Sequence, residues 1–77
     1  MDKEALIARI GEGMSAGTIP CQDCLVTWFG EGRGHPCVVC EERVESPETE
    51  IECDLPGGGT VHFHNACFDL WHAALPG

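Results

Sequence analysis

Apolar positions recur along this 77-residue chain in two rhythms, one of helical spacing and one of strict alternation. Near the N-terminus Leu6, Ile7, Ile10 and Met14 keep helical spacing and predict one apolar face on a helix over residues 3 to 14. Asp2 is placed to cap it and Gly17 to end it, while Gly11 and Gly13 weaken its last turn. A helix this short is marginal in water, so it must pack on the rest of the domain or on another chain. The stretch TIPCQDCLVTWF reads two ways. Cys21, Cys24, Leu25 and Trp28 fit a short helix, and LVTWF fits a strand. GEGRGHP, with Gly30, Gly32 and Gly34 alternating, reads as a flexible loop. It has neither the glycine spacing of a dinucleotide fingerprint nor the Lys-Ser/Thr of a phosphate-binding loop.

Beyond CVVCEERV the chain passes an acidic segment, ESPETE, read as a loop. EIECDL and TVHFH then alternate as strands do, and the intervening PGGG predicts a hairpin. Cys53 alternates with Ile51 and Leu55 and so faces the core. The rhythm changes again at Cys67, Phe68, Trp71 and Leu75, predicting a final helix over residues 65 to 75 that Pro76 and Gly77 end. Trp28 and Trp71 are both expected in the core, and His72 on the outer face of its helix. The pattern contains no repeat and no linker, so residues 1–77 read as a single domain.

A domain of this length buries a modest core and needs a staple. Six cysteines and four histidines offer disulfides or a metal. The N-terminus has a mixed-charge start without a continuous apolar segment, and no stretch is apolar enough to cross a membrane. The chain is accordingly read as cytoplasmic, where thiols stay reduced and closely spaced cysteines favour metal over disulfide. The net charge of -9, with 13 acidic residues against 4 basic, argues against nucleic acid, whose binding rests on Lys and Arg. The acidic residues between Glu41 and Asp54 read as a solvated face, or more sharply as a docking surface for a basic partner.

Two pairs carry the metal chemistry. Cys37 and Cys40 form a Cys-x-x-Cys turn, which brings two sulfurs to one ion from a single bend. His64 and Cys67 have the same two-residue gap and open the last helix, where free amides and the helix dipole favour thiolate. Cys37, Cys40, His64 and Cys67 together make a three-cysteine, one-histidine set common in structural Zn2+ sites; iron also accepts such soft ligands.

The order of a Cys-x-x-Cys turn, a hairpin and a helix opening on His-x-x-Cys resembles a treble-clef zinc finger over residues 35 to 75. The segment WFGEGRGHPCVVCEERV together with FHNACFDLW also resembles short bacterial zinc-finger-like proteins of uncharacterised function. The resemblance implies a small α+β zinc-stabilised domain: zinc knuckle, β-hairpin and C-terminal helix, here with an added N-terminal helix. It implies no reaction.

Cys21, Cys24 and Cys53 are left over. They pack as small hydrophobes. Or Cys21, Cys24, Cys53 and His62 hold a second zinc, in the manner of cross-brace domains such as RING or PHD fingers. Or Cys21 and Cys24 join Cys37 and Cys40 in a zinc ribbon, or form a redox pair. His62 shares a strand face with His64, and His35 precedes Cys37 by two residues, so either could lie near a metal.

A catalytic zinc keeps a position open for water. A site closed by four protein ligands, three of them thiolates, does not, and no nucleophile or metalloprotease motif is present. The expectation is therefore a non-enzymatic interaction module or regulatory adaptor. Its partner is a protein, a basic one on charge grounds, or a second copy joined through the N-terminal helix. A nucleic-acid-binding finger and a thiol redox or metal sensor using Cys21 and Cys24 are the alternatives.

Overall fold

The computed structural model describes residues 2–76. It is a small α+β domain in which helix α1 (Lys3–Ala16) precedes strands β1 (Val26–Pro36), β2 (Arg43–Asp54) and β3 (Thr60–His64), and helix α2 (Asn65–Ala74) closes the chain. The strands form one antiparallel sheet in the order β1-β2-β3.

The hairpin read from PGGG is present and joins β2 to β3, with Ile51 opposite Phe63 and Cys53 opposite Val61. Gly57, Gly58 and Gly59 all have positive φ, at 86°, 104° and 90°, a path that side-chain-bearing residues rarely take. The alternation of β2 and β3 directs Ile51, Cys53 and Phe63 to one face, where all three are fully buried. Helix α2 lies on that face. Its Trp71 ring stacks obliquely on Phe63 at 4.7 Å between centroids and donates from Nε1 to the Pro20 carbonyl at 2.8 Å. Phe68 meets Phe63 edge-on at 5.4 Å.

The glycine-rich stretch after Trp28 is not a loop. It is the second half of β1, paired with the acidic segment that now lies within β2. The register shifts between Glu31 and Arg33 and again between Arg33 and His35. The glycines serve these irregularities. A Cβ on Gly32 would lie 2.5 Å from the Val44 carbonyl oxygen, so only glycine lets the two backbones approach there. Ser46, Pro47 and Glu48 fall in the same register gap, opposite no β1 partner, and the missing amide of Pro47 costs the ladder no bond. A reading based on glycine content alone mistakes a bulged hairpin for a flexible segment.

Helix α1 runs two residues beyond its predicted end. Asp2 accepts from the Ala5 amide at 2.8 Å, and Gly17 closes the helix in the left-handed conformation, with Thr18 and Ile19 amides on the Gly13 carbonyl. Gly13 does not mark a weak turn: it is buried, and the Ile19 side chain occupies the space a Cβ would need. Ile10 and Ile19 join the main core, with Leu6 and Met14 packed at its margin, and of the apolar stripe only Ile7 remains exposed. The helix is thus absorbed by its own domain. Trp28, expected inside, is 58% exposed on the face of the sheet opposite α2.

Candidate metal centre

The centre forms where three elements end. β1 gives way at Pro36 to a tight turn, residues 37 to 42, that leads into β2. The Glu41 amide donates to the Cys37 carbonyl at 2.9 Å and the Cys37 amide to the Glu42 carbonyl at 2.8 Å, and these bonds fold Cys37 and Cys40 toward one side. The turn is held from two directions. The Val38 amide donates to the His62 carbonyl of β3 at 2.8 Å, and Arg9 of α1 donates from Nε to the Val39 carbonyl at 2.6 Å while its guanidinium pairs with Glu41. The added N-terminal helix therefore buttresses the turn.

On the opposite side β3 runs directly into α2. His64 is the N-cap residue of α2 but makes no side-chain cap bond; its Nδ1 lies 3.3 Å from Cys40 Sγ instead. Its Nε2 faces the exposed Glu48 carboxylate at 3.8 Å, too far for a direct hydrogen bond. Cys67 stands in the first turn of α2, near the helix's unpaired amides. The donor atoms of Cys37, Cys40, His64 and Cys67 all lie within 4.8 Å of one another. Sulfurs at about 2.3 Å from one tetrahedral ion are about 3.8 Å apart, so a single ion fits the set. Cys37 and Cys67 are buried, and Cys40 and His64 half-buried.

Crowding also sets the protonation of the thiols. Cys37 is drawn down to about 4, chiefly because it accepts from the Cys67 thiol; burial opposes this, and the Cys40 and His64 amides add to it. Cys67 is pushed up, first by the hydrogen bond its thiol donates to Cys37, then by burial and by the charge of its neighbours. Burial also raises Cys40, and the nearby Cys37 charge adds to the effect. One thiolate is readily formed and the other two are resisted, because neighbouring thiolates repel and burial disfavours their charge.

The turn also holds a local strain. Glu41 has φ 68°, the left-handed region, which costs a residue with a side chain about 1–2 kcal/mol. Its ion pair with Arg9 has ends 37% and 77% exposed, a class worth about 0–1 kcal/mol. Strain outweighs the pair, and Glu41→Gly is expected to stabilise slightly, by about 0.3 kcal/mol once the entropy cost of glycine is subtracted. A rise in the denaturant midpoint of the metal-loaded chain checks this; a fall would show that the pair dominates.

The remaining candidates go elsewhere. Cys24 and Cys53 form a disulfide, which removes both as thiolate ligands. Cys21 is a free, exposed thiol. His62 turns its Nδ1 to Glu50 Oε2 at 3.1 Å. Cys21, Cys24, Cys53 and His62 therefore do not meet as a second metal set, and neither a four-cysteine ribbon nor a Cys21–Cys24 pair forms among the described residues. The disulfide also corrects the expectation that every thiol stays reduced. That expectation weighs local spacing, and here the partners lie 29 residues apart. Sequence reading missed Glu50, taken for part of a solvated acidic face. It is 6% exposed and lies beneath His35 and His62.

Comparison with protein-family models, curated proteins and solved structures finds no match to the chain. The functional reading therefore rests on the site itself.

Proposed function

We propose that this chain is a non-catalytic zinc-binding interaction module of treble-clef-like build, in which Cys37, Cys40, His64 and Cys67 hold one structural Zn2+ and the sheet edge meets a protein partner. The convergence of three thiols and an imidazole within 4.8 Å carries the reading. Four protein ligands satisfy a tetrahedral ion and leave no position for substrate, which supports a structural over a catalytic role.

The interaction surface lies on β1. Leu25, Val26, Trp28 and Phe29 are 70%, 43%, 58% and 68% exposed, and they are consecutive or nearly so at the open edge of the sheet. An exposed apolar run on an edge strand fits an added strand from a partner. Glu52 and Asp54 stand opposite Trp28 and Val26 on β2, and Glu31 follows along β1, so the surround is acidic. Such a surround suits Lys or Arg side chains, which also pack on an aromatic face. A second copy would bring acid against acid. Self-association through α1 is less favoured, because Ile10 is buried in the domain's own core with Leu6 and Met14 packed at its margin. Nucleic-acid binding is not favoured: of the few basic side chains, Arg9 is tied to Val39 and Glu41, and Arg43 to the Gly34 carbonyl.

The test is a double substitution, Trp28→Ala with Phe29→Ala, in the full chain. The variant is expected to keep its metal and its melting temperature within a few degrees, since both side chains are mostly exposed, and to lose a set of basic proteins that the immobilised wild type retains from lysate. Retention of the same proteins by both forms would remove β1 as the docking edge.

A further inference from the structure

A second cluster lies beside the first and shares none of its side chains. We infer that His35, Glu50 and His62 form an open, exchangeable site for a divalent transition cation, separate from the Cys3His centre. Their donor atoms also lie within 4.8 Å of one another. Glu50 Oε2 is 3.1 Å from both His35 Nδ1 and His62 Nδ1, and Oε1 is 3.2 Å from His35 Nδ1. Nitrogen and oxygen donors at about 2.0–2.1 Å from a tetrahedral ion are about 3.3 Å apart, so these separations match the edges of a coordination shell. Two imidazoles and one carboxylate suit zinc, cobalt, nickel or iron(II), and leave the remaining positions to water.

The site is built rather than incidental. Glu50 is 6% exposed, yet its carboxyl is held below the ordinary range: burial resists ionisation most strongly, and the Arg33 amide on Oε1 with the two imidazoles on Oε2 outweighs it. The structure thus keeps a buried negative charge under two histidines. The fold brings the three together from separate strands. Glu50 pairs with His64 in the β2–β3 register, His62 stands two residues before His64 on the same face, and His35 ends β1 two residues before Cys37. The tight turn that serves the first centre thereby positions the second.

Binding needs one movement. The His35 and His62 rings are stacked at 4.0 Å and 11° apart, so their lone pairs run side by side. His62 is 18% exposed and held in place, whereas His35 is 44% exposed and free to rotate about its Cβ–Cγ bond until its Nδ1 converges on the ion. The ring nitrogens that now face Glu50 then bind the cation, which replaces their hydrogen bonds to the carboxylate.

The full chain loaded with one Zn2+ is titrated with Co2+, followed by native mass spectrometry and the visible spectrum. One Co2+ should bind while the Zn2+ is retained. Its bands should be those of nitrogen and oxygen ligation, without sulfur-to-cobalt charge transfer. Glu50→Gln and His35→Ala should each weaken this second ion by roughly tenfold or more and keep the first. His35→Ala decides the matter if Glu50→Gln fails to fold, because His35 is half-exposed and outside the core. No second ion, cobalt bound only by exchange into the thiolate site, or equal affinity in His35→Ala and wild type would each overturn the inference. Failure of the Cys3His centre would show earlier and separately, as absence of the first zinc.

Discussion

Stripping zinc from the chain with a chelator is expected to unfold it. A structural zinc of this ligand class contributes on the order of 10 kcal/mol, comparable to the whole stability of a domain this small. The centre joins the turn after β1, the end of β3 and the start of α2. Without the ion, Cys37, Cys40 and Cys67 are three crowded thiols of which only the first readily ionises. In the unfolded metal-free chain all three cysteines hold their protons near neutral pH, so three protons should leave when zinc binds, and affinity should rise with pH until they are gone. Cys67→Ser should lose the metal and the fold together. Near-UV circular dichroism follows the event, because Trp71 is wholly buried against Phe63 while Trp28 is already exposed. A metal-free chain with an unchanged near-UV spectrum and melting temperature would refute the structural role.

Opening the Cys24–Cys53 disulfide should have the second largest effect. The bond closes a segment of 29 residues that contains β1, the metal-binding turn and most of β2. Loop-closure entropy for that length gives about 3–4 kcal/mol. In a domain of this size that corresponds to a fall of roughly 15–25 °C in melting temperature. Cys24→Ser with zinc still bound should show the drop, and a phosphine reductant should reproduce it on the wild type with a mass gain of two hydrogens. Equal melting temperatures for oxidised and reduced chains would show that the bond contributes nothing to stability.

The parts of this structure that were legible in the sequence are those with short-range signals. The helical spacing of Leu6, Ile10 and Met14 and the cap at Asp2 locate α1. The alternation around Ile51 and Phe63 and the glycines between them locate the β2–β3 hairpin. The two pairs with a two-residue gap lead to the four side chains that converge, because each pair sits on one local turn and only two turns must meet. What was not legible depends on register. Gly32 and Gly34 read as loop residues, and only the irregular pairing with β2 explains them as part of a strand: the Val44 backbone leaves no room for a Cβ on Gly32, and Gly34 takes a positive φ. Cys24 finds Cys53 across 29 residues, a match that no local spacing announces. Glu50 looks like its acidic neighbours until pairing places it beneath two histidines. Trp28 carries a core residue's chemistry, yet the alternation that buries the β2 face opposite puts it on the open side.

Zinc K-edge absorption of the chain loaded with one equivalent of Zn2+ decides whether Cys37, Cys40, His64 and Cys67 are the ligands. Three sulfurs at about 2.3 Å and one imidazole nitrogen at about 2.0 Å are expected, with the imidazole's outer-shell scattering lost in His64→Ala. A shell dominated by nitrogen and oxygen, or one unchanged in His64→Ala, would contradict this assignment.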